Sequence, residues 1–308
     1  METKHKPQNI LSPQQEAALE QLLPIARIAT SGAVANLPVR PRSHTLIIGP
    51  SGSGKSYIAA ELGRRLSLPV LLINVSSWVV LSARNEPWTT STICEWLDSI
   101  GSGGGILALD ELDKVQTDSD WKSYIRLEIH DLLDSVIPHA ARLPKNPFQD
   151  EWDSAAAVEA QTRSMLTARL RHKVFIVGCG AWQSAWTANS RKIGFEGEVE
   201  KKSDKPSRLQ ILESISPEIR QRFRDQVCWL EPMTTNDYET VSGRIAAALP
   251  STGMVPIWNR LARPAIERAV AGGLGMRIFE ELMLTVLLEM PDHPVHDYSK
   301  LHPPEPLV

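Results

Sequence analysis

Eight consecutive residues, Gly49, Pro50, Ser51, Gly52, Ser53, Gly54, Lys55 and Ser56, fit the pattern G-x-x-x-x-G-K-[ST]. The chemistry open to that pattern is phosphate binding. Its glycines let successive backbone N–H groups wrap around an anion, and a helix starting there adds partial positive charge. Lys55 is then placed to reach β- and γ-phosphates, and Ser56 to offer a hydroxyl to Mg2+. An ordinary Gly/Ser turn is the alternative. The full pattern, directly after the apolar run "TLII" and opening a helical pattern, favours the phosphate loop.

A second stretch, "ILALDELDKV" from Ile106 to Val115, breaks from apolar residues into Asp110, Glu111 and Asp113. A buried strand that ends in this much negative charge needs something to offset it, and a divalent cation does so. Asp110 is therefore expected to partner Mg2+, directly or through water, and Glu111 to orient and activate a water that attacks a γ-phosphate. A strand running into an acid-capped helix would also explain "DELDK". The Asp-Glu pair selects among phosphate-loop chemistries: a kinase acting on a small metabolite has no need of a water-activating Glu. "DELD" is not a DEAD or DEAH box, and nothing resembles the ABC signature. Hydrolysis of ATP is expected.

These residues need elements to hold them. "TLIIG", "PVLLINV", "ILALD", "KVFIVG" and "QVCWL" read as five strands. Between them lie helical patterns, including "SYIAAELGRRL" from Ser56, with Ile58, Leu62 and Leu66 on one face, and "SYIRLEIHDLLDSVI" from Ser123 to Ile137. Strands alternating with helices predict a parallel sheet covered on both faces. At the start of the chain "LSPQQEAALEQLLPIARIA" has helical spacing, with Ser12 and Pro13 as cap and first position. Beyond Glu231 the strand signal stops and three helical patterns follow. The expected organisation is an N-terminal helix and linker over 1–40, an αβα nucleotide-binding domain over 41–230 and a helical domain over 231–290. A flexible Pro-rich tail over 291–308 is expected to be extended or disordered.

Composition sets bounds on function. With 42% hydrophobic and 22% charged residues, the 308-residue chain is ordinary for a globular protein. Its 33 basic and 36 acidic residues give no polycationic bias toward nucleic acid. "RLRHKV" and "EKKSDKPSR" are the candidate basic surfaces. Cys94, Cys179 and Cys228 have no metal-ligand or disulfide-framework spacing. No apolar run approaches a membrane span and "METKHKPQNI" lacks a signal core, so a cytoplasmic protein with no membrane partner is expected.

Five segments taken in order resemble the AAA+ ATPases, and most closely the ClpX/HslU branch. They are "LDELDKV", "VFIVGCGAWQSAW", "KIGFEGEVEKKSDKP", "SPEIRQRF" and "GGLGMRIFEELML", a likeness that runs from about Gln14 to Met290. The resemblance implies an α/β fold of the P-loop NTPase type, with strand order 5-1-4-3-2 and a small C-terminal helical lid. It also implies a homo-oligomeric ring, usually hexameric, with ATP and Mg2+ between subunits. Arg222 fits the position of an arginine finger that reaches a neighbouring subunit's γ-phosphate and stabilises transition-state charge. A solvated basic turn is the plainer account of "RQRFR". Arg277 fits a lid residue that senses the γ-phosphate, although an ungapped match to "GARGLR" puts Leu274 there. Ile193, Gly194 and Phe195 resemble the loop by which ClpX docks a peptidase.

Three departures from the family pattern stand out. There is no cysteine spacing for a ClpX-type zinc domain. The sensor-1 position falls in "VGCG", where Cys179 is the one polar candidate. The aromatic pore motif is replaced by "VVLSARNEPWTT", in which Arg84 or Trp88 could face a pore. The expected function is an ATP-driven remodeller of a partner protein. The alternative is an ATP-gated assembly platform that acts on nucleic acid or with an operon partner, as in transposition or phage defence.

Overall fold

The computed structural model describes residues 10–39, 41–82, 88–116, 123–144, 155–182 and 207–290. Contacts divide the chain into two units. One comprises Ala18–Pro50 and Lys55–Leu230; the other comprises the described residues before Ala18, the loop tip Ser51–Gly54 and the described residues from Glu231 onward.

The first unit is built on five parallel strands in the order β2-β3-β4-β1-β5. They are β1 (Thr45–Ile48), β2 (Val70–Asn74), β3 (Gly105–Asp110), β4 (Val174–Gly180) and β5 (Cys228–Trp229). This is the P-loop arrangement 5-1-4-3-2 expected above. Strands β1 and β4 are buried at every position, as their unbroken apolar runs require of strands covered on both faces. Strand β2 lies at the edge, and its Leu72 is half exposed. The helices are α1 (Pro13–Ser31), α2 (Lys55–Leu66), α3 (Val75–Ser82), α4 (Trp88–Ser99), α5 (Ser123–Leu133), α6 (Ala155–Lys173), α7 (Arg208–Glu213) and α8 (Pro217–Arg220). Helix α1 begins among residues of the second unit, but from Ala18 on it counts with the sheet, where Leu19, Leu22, Ala26 and Ala29 are buried.

One local difference from the sequence reading, and one consequence of the expected strand order, bear on the site. The helix expected over Ser123–Ile137 stops at Leu133, because Ser135 takes a left-handed φ of 61° and the Val136 N–H returns to Asp131 O. That leaves Asp134 exposed at the helix end. Strand β4, not β1, is the neighbour of β3 on the phosphate-loop side, so Asp110 stands two strands from the loop's own strand. Ser56, in the first turn of α2, closes that distance.

In β4 there is no room for a side chain at Gly178. A Cβ there would lie 2.8 Å from each of Leu46, Leu112 and Phe223. Nearby, α3 is tied to α5 by Trp78 Nε1, which donates to Glu128 Oε2 at 3.0 Å. Burial raises the Glu128 carboxyl above its ordinary value, and the Trp78 bond opposes the shift. A carboxyl whose folded pKa is raised stabilises the fold below its unfolded pKa and loses that contribution as pH rises through the folded value. Glu128→Gln keeps an acceptor for Trp78 and removes the charge. It should therefore match or exceed the parent chain in stability at neutral pH, with the gap closing in acid. Glu128→Ala leaves the buried indole N–H unpaired and should cost about 1–3 kcal/mol. Urea unfolding at the two pH values measures both.

The second unit centres on α9 (Thr235–Ala248), α10 (Met254–Gly272) and α11 (Arg277–Glu289). Thr234 and Asp237 form a capping box that starts α9. Buried Trp258 stacks on Phe279 at 6.1 Å and gives its indole N–H to Ser242 Oγ at 3.0 Å. Gly273, at φ 62°, ends α10 in the left-handed region. The turn that follows delivers Gly275 and Met276 to the loop tip. Met276 N donates to Gly52 O at 2.9 Å, and a Cβ on Gly275 would stand 2.3 Å from that same oxygen. Among the described residues no helix is long and apolar enough to cross a membrane.

Candidate nucleotide site

The buried residues of β1 fix where the phosphate loop begins. Gly49 N donates to Gly180 O at 3.3 Å, and α2 begins at Lys55. Between them Gly52 and Gly54 take φ values of 77° and 84°, which side chains seldom tolerate. Lys55, itself buried, donates from Nζ to Gly49 O at 2.8 Å and to Pro50 O at 2.9 Å, so its ammonium is held against the loop. Ser51 is exposed. Ser53 is buried, and its Oγ has no hydrogen-bond partner among the described residues. A glycine-rich turn with a held cation and an orphaned hydroxyl fits a bound polyphosphate better than a plain turn.

The acidic residues meet this loop through Ser56, whose Oγ donates to Asp110 Oδ2. A hydroxyl and one carboxylate are the protein donors that Mg2+ takes when phosphate and water fill its remaining positions. Among the described residues no cluster of three or more His, Cys, Asp or Glu could hold a metal ion. Asp110 also accepts the Glu111 N–H through Oδ1 at 2.9 Å. Glu111 has φ 56°, unusual for a residue with a Cβ. Ser76 Oγ donates to Glu111 Oε2. Sequence reasoning missed Ser76. The signal is register: Asn74 pairs with Asp110, so a residue just beyond β2 lies beside Glu111.

Arg222 lies in the turn after α8, where each nitrogen of its guanidinium donates a hydrogen bond. Nε donates to both Asp134 oxygens at 2.9 and 3.0 Å, Nη2 to Asp134 Oδ2 at 2.8 Å, and Nη1 to Glu218 O at 2.7 Å. Asp134 was not picked from the sequence, since only the early end of α5 exposes it. Burial first, then the Arg222 charge, holds His130 below the ordinary imidazole value.

Arg277 is the first residue of α11 and is exposed, while Leu274 falls in the turn before the helix. Cys179 is wholly buried in β4, and its thiol is pushed up by burial and by Asp110, with Lys55 opposing. Gln15, another residue the sequence reading passed over, donates from Nε2 to Ser53 O at 2.8 Å. Arg84, the Trp88 side chain, and the Ile193, Gly194 and Phe195 tripeptide lie outside the described residues.

Residues 45–140 match the family model described as "ATPase family associated with various cellular activities (AAA)". That stretch of the chain is similar to AAA ATPase domains. The protein is accordingly an ATP-hydrolysing enzyme. The AAA match spans the phosphate loop, Ser76, Asp110, Glu111 and Asp134, and ends before Arg222 and Arg277.

Proposed function

We propose that the AAA domain hydrolyses ATP with Mg2+ at the subunit interfaces of a homo-oligomeric ring, and that the cycle remodels a bound partner protein. The contact chain Ser56–Asp110–Glu111–Ser76 carries the hydrolytic part of this reading. It joins the phosphate loop to a metal-binding carboxylate and continues to a carboxylate poised as a base. In this reading Gly49 to Gly54 enclose the phosphates and Lys55 leaves its loop carbonyls to meet their charge. Ser56 and Asp110 hold Mg2+, which supplies positive charge at the phosphate oxygens when bound. Glu111 takes the proton of the attacking water, released from or steered by Ser76. Arg222 serves the neighbouring subunit and Arg277 senses the γ-phosphate from the lid.

The ring and the protein client rest on the ClpX/HslU resemblance of the segments around Ile193, Arg222 and Arg277. The nucleic-acid platform finds less support. In "RLRHKV" Arg169 donates to Leu97 O at 3.0 Å and to Asp98 Oδ1 at 2.9 Å, and Lys173 to Ser31 O at 3.2 Å. Those two cations serve the packing of α6. In "EKKSDKPSR", Arg208 lies over the Trp229 ring at 5.3 Å.

Affinity capture with a tagged Glu111→Gln chain and ATP, with and without nuclease, tests the purpose of the cycle. A chain arrested in its ATP state should hold its client. A specific protein retained through nuclease treatment supports remodelling. Nucleic acid alone, released by salt, supports the platform and overturns the proposal.

A further inference from the structure

We infer that Gln15 is a positioning residue of the phosphate loop, setting the direction of the backbone N–H groups that meet the nucleotide's phosphates. The inference rests on the reading of Gly49–Ser56 as the ATP loop. Gln15 is 1% exposed, at the third position of α1. Its Oε1 accepts the Ser12 N–H at 2.8 Å, while Gln15 N donates to Ser12 Oγ at 3.3 Å, a reciprocal cap. Capping uses only the carbonyl end of this amide, and Glu at that position caps equally well. The nitrogen end is left over, and it donates to Ser53 O at 2.8 Å. The partners fix the orientation of the amide: the end facing Ser12 N–H must accept and the end facing Ser53 O must donate.

A planar trans peptide points its C=O and the following N–H in opposite directions. With Ser53 O turned to Gln15, the Gly54 N–H is turned the other way. With Gly52 O turned to Met276 N at 2.9 Å, the same holds for the Ser53 N–H. Two consecutive loop carbonyls are thus drawn outward, which leaves two consecutive amides to face an anion. The fit around Gln15 is close: a Cβ on Gly54 would stand 2.3 Å from Gln15 Nε2. Gln15 is itself held in place. Arg244 Nη1 donates to Leu11 O at 2.6 Å and to Glu16 Oε1 at 2.9 Å, and Glu231 N donates to Gln14 Oε1 at 2.9 Å. Ile10 packs on the core of the helical unit.

The test compares three variants of the full chain, Gln15→Glu, Gln15→Met and Ser12→Ala, for affinity toward ATP, ADP and adenosine, with thermal unfolding measured in parallel. Gln15→Glu keeps the cap and loses the donor; Gln15→Met loses the donor without adding charge. Both should weaken ATP and ADP about ten-fold and leave adenosine unchanged, with KM rising more than kcat falls. Ser12→Ala, which weakens only the cap, should lower the unfolding temperature and spare ATP affinity. Parent-like ATP affinity in both Gln15 variants overturns the inference, as does a loss that tracks unfolding alone. Lys55→Ala separates the two levels. If it also binds ATP normally, the loop reading itself has failed; if it loses ATP while the Gln15 variants keep it, only the role of Gln15 falls.

Discussion

Glu111→Gln should bind ATP as tightly as the parent chain and hydrolyse it roughly 10²–10⁴-fold more slowly, the range that a positioned general base contributes. The substitution is nearly isosteric, and the amide oxygen can still accept from Ser76 Oγ. The Glu111 N–H bond to Asp110 and the left-handed φ of 56° belong to the backbone and should persist. What is lost is the capacity to take a proton. Phosphate release under saturating ATP, set beside a nucleotide dissociation constant, separates the two quantities. Turnover at the parent rate would remove Glu111 from the mechanism and leave the acid-capped turn as the account of "DELDK".

Arg222→Ala should spare nucleotide binding and lower turnover by about 10³–10⁵-fold, the usual contribution of an arginine that meets transition-state charge. Within its own chain this side chain is not idle: Asp134 and Glu218 O take all its nitrogens. Asp134 is half exposed, and ion pairs at such positions contribute only about 0–1 kcal/mol. The pair can therefore aim the guanidinium and still release it on assembly at little cost. Mixing Arg222→Ala with Glu111→Gln chains is the decisive form of the measurement. Each variant lacks what the other keeps, so an interface pairing an intact Glu111 with an intact Arg222 should recover activity. If mixtures stay inactive while the chains demonstrably co-assemble, Arg222 does not act across an interface.

The sheet was legible because its strands are apolar throughout: "TLII" and "VFIVGCG" have no polar face, and such runs belong between covering layers. The glycine turn after β1 and the acidic end of β3 were legible because each lies within a few residues of chain. The partners of those residues were not. Ser76 serves Glu111 from 35 positions away, Asp134 serves Arg222 from 88, and Gln15 serves Ser53 from 38. None of the three has a type or spacing that marks it; each is fixed only once strand register, a helix end or a packed turn brings it to its partner. The early stop of α5 is the sharpest instance. Its apolar spacing continues through Val136 and Ile137, yet a left-handed Ser135 ends the helix and frees Asp134.

The crowding at Gly178 brings together the chain neighbours of Glu111 and Arg222. Leu112 follows Glu111 in the chain, Phe223 follows Arg222, and both side chains press on the spot in β4 where Gly178 lacks a Cβ. Interiors packed this densely transmit displacement instead of absorbing it. A side chain at Gly178 would therefore press on the Glu111 and Arg222 turns together, one keystone under two turns.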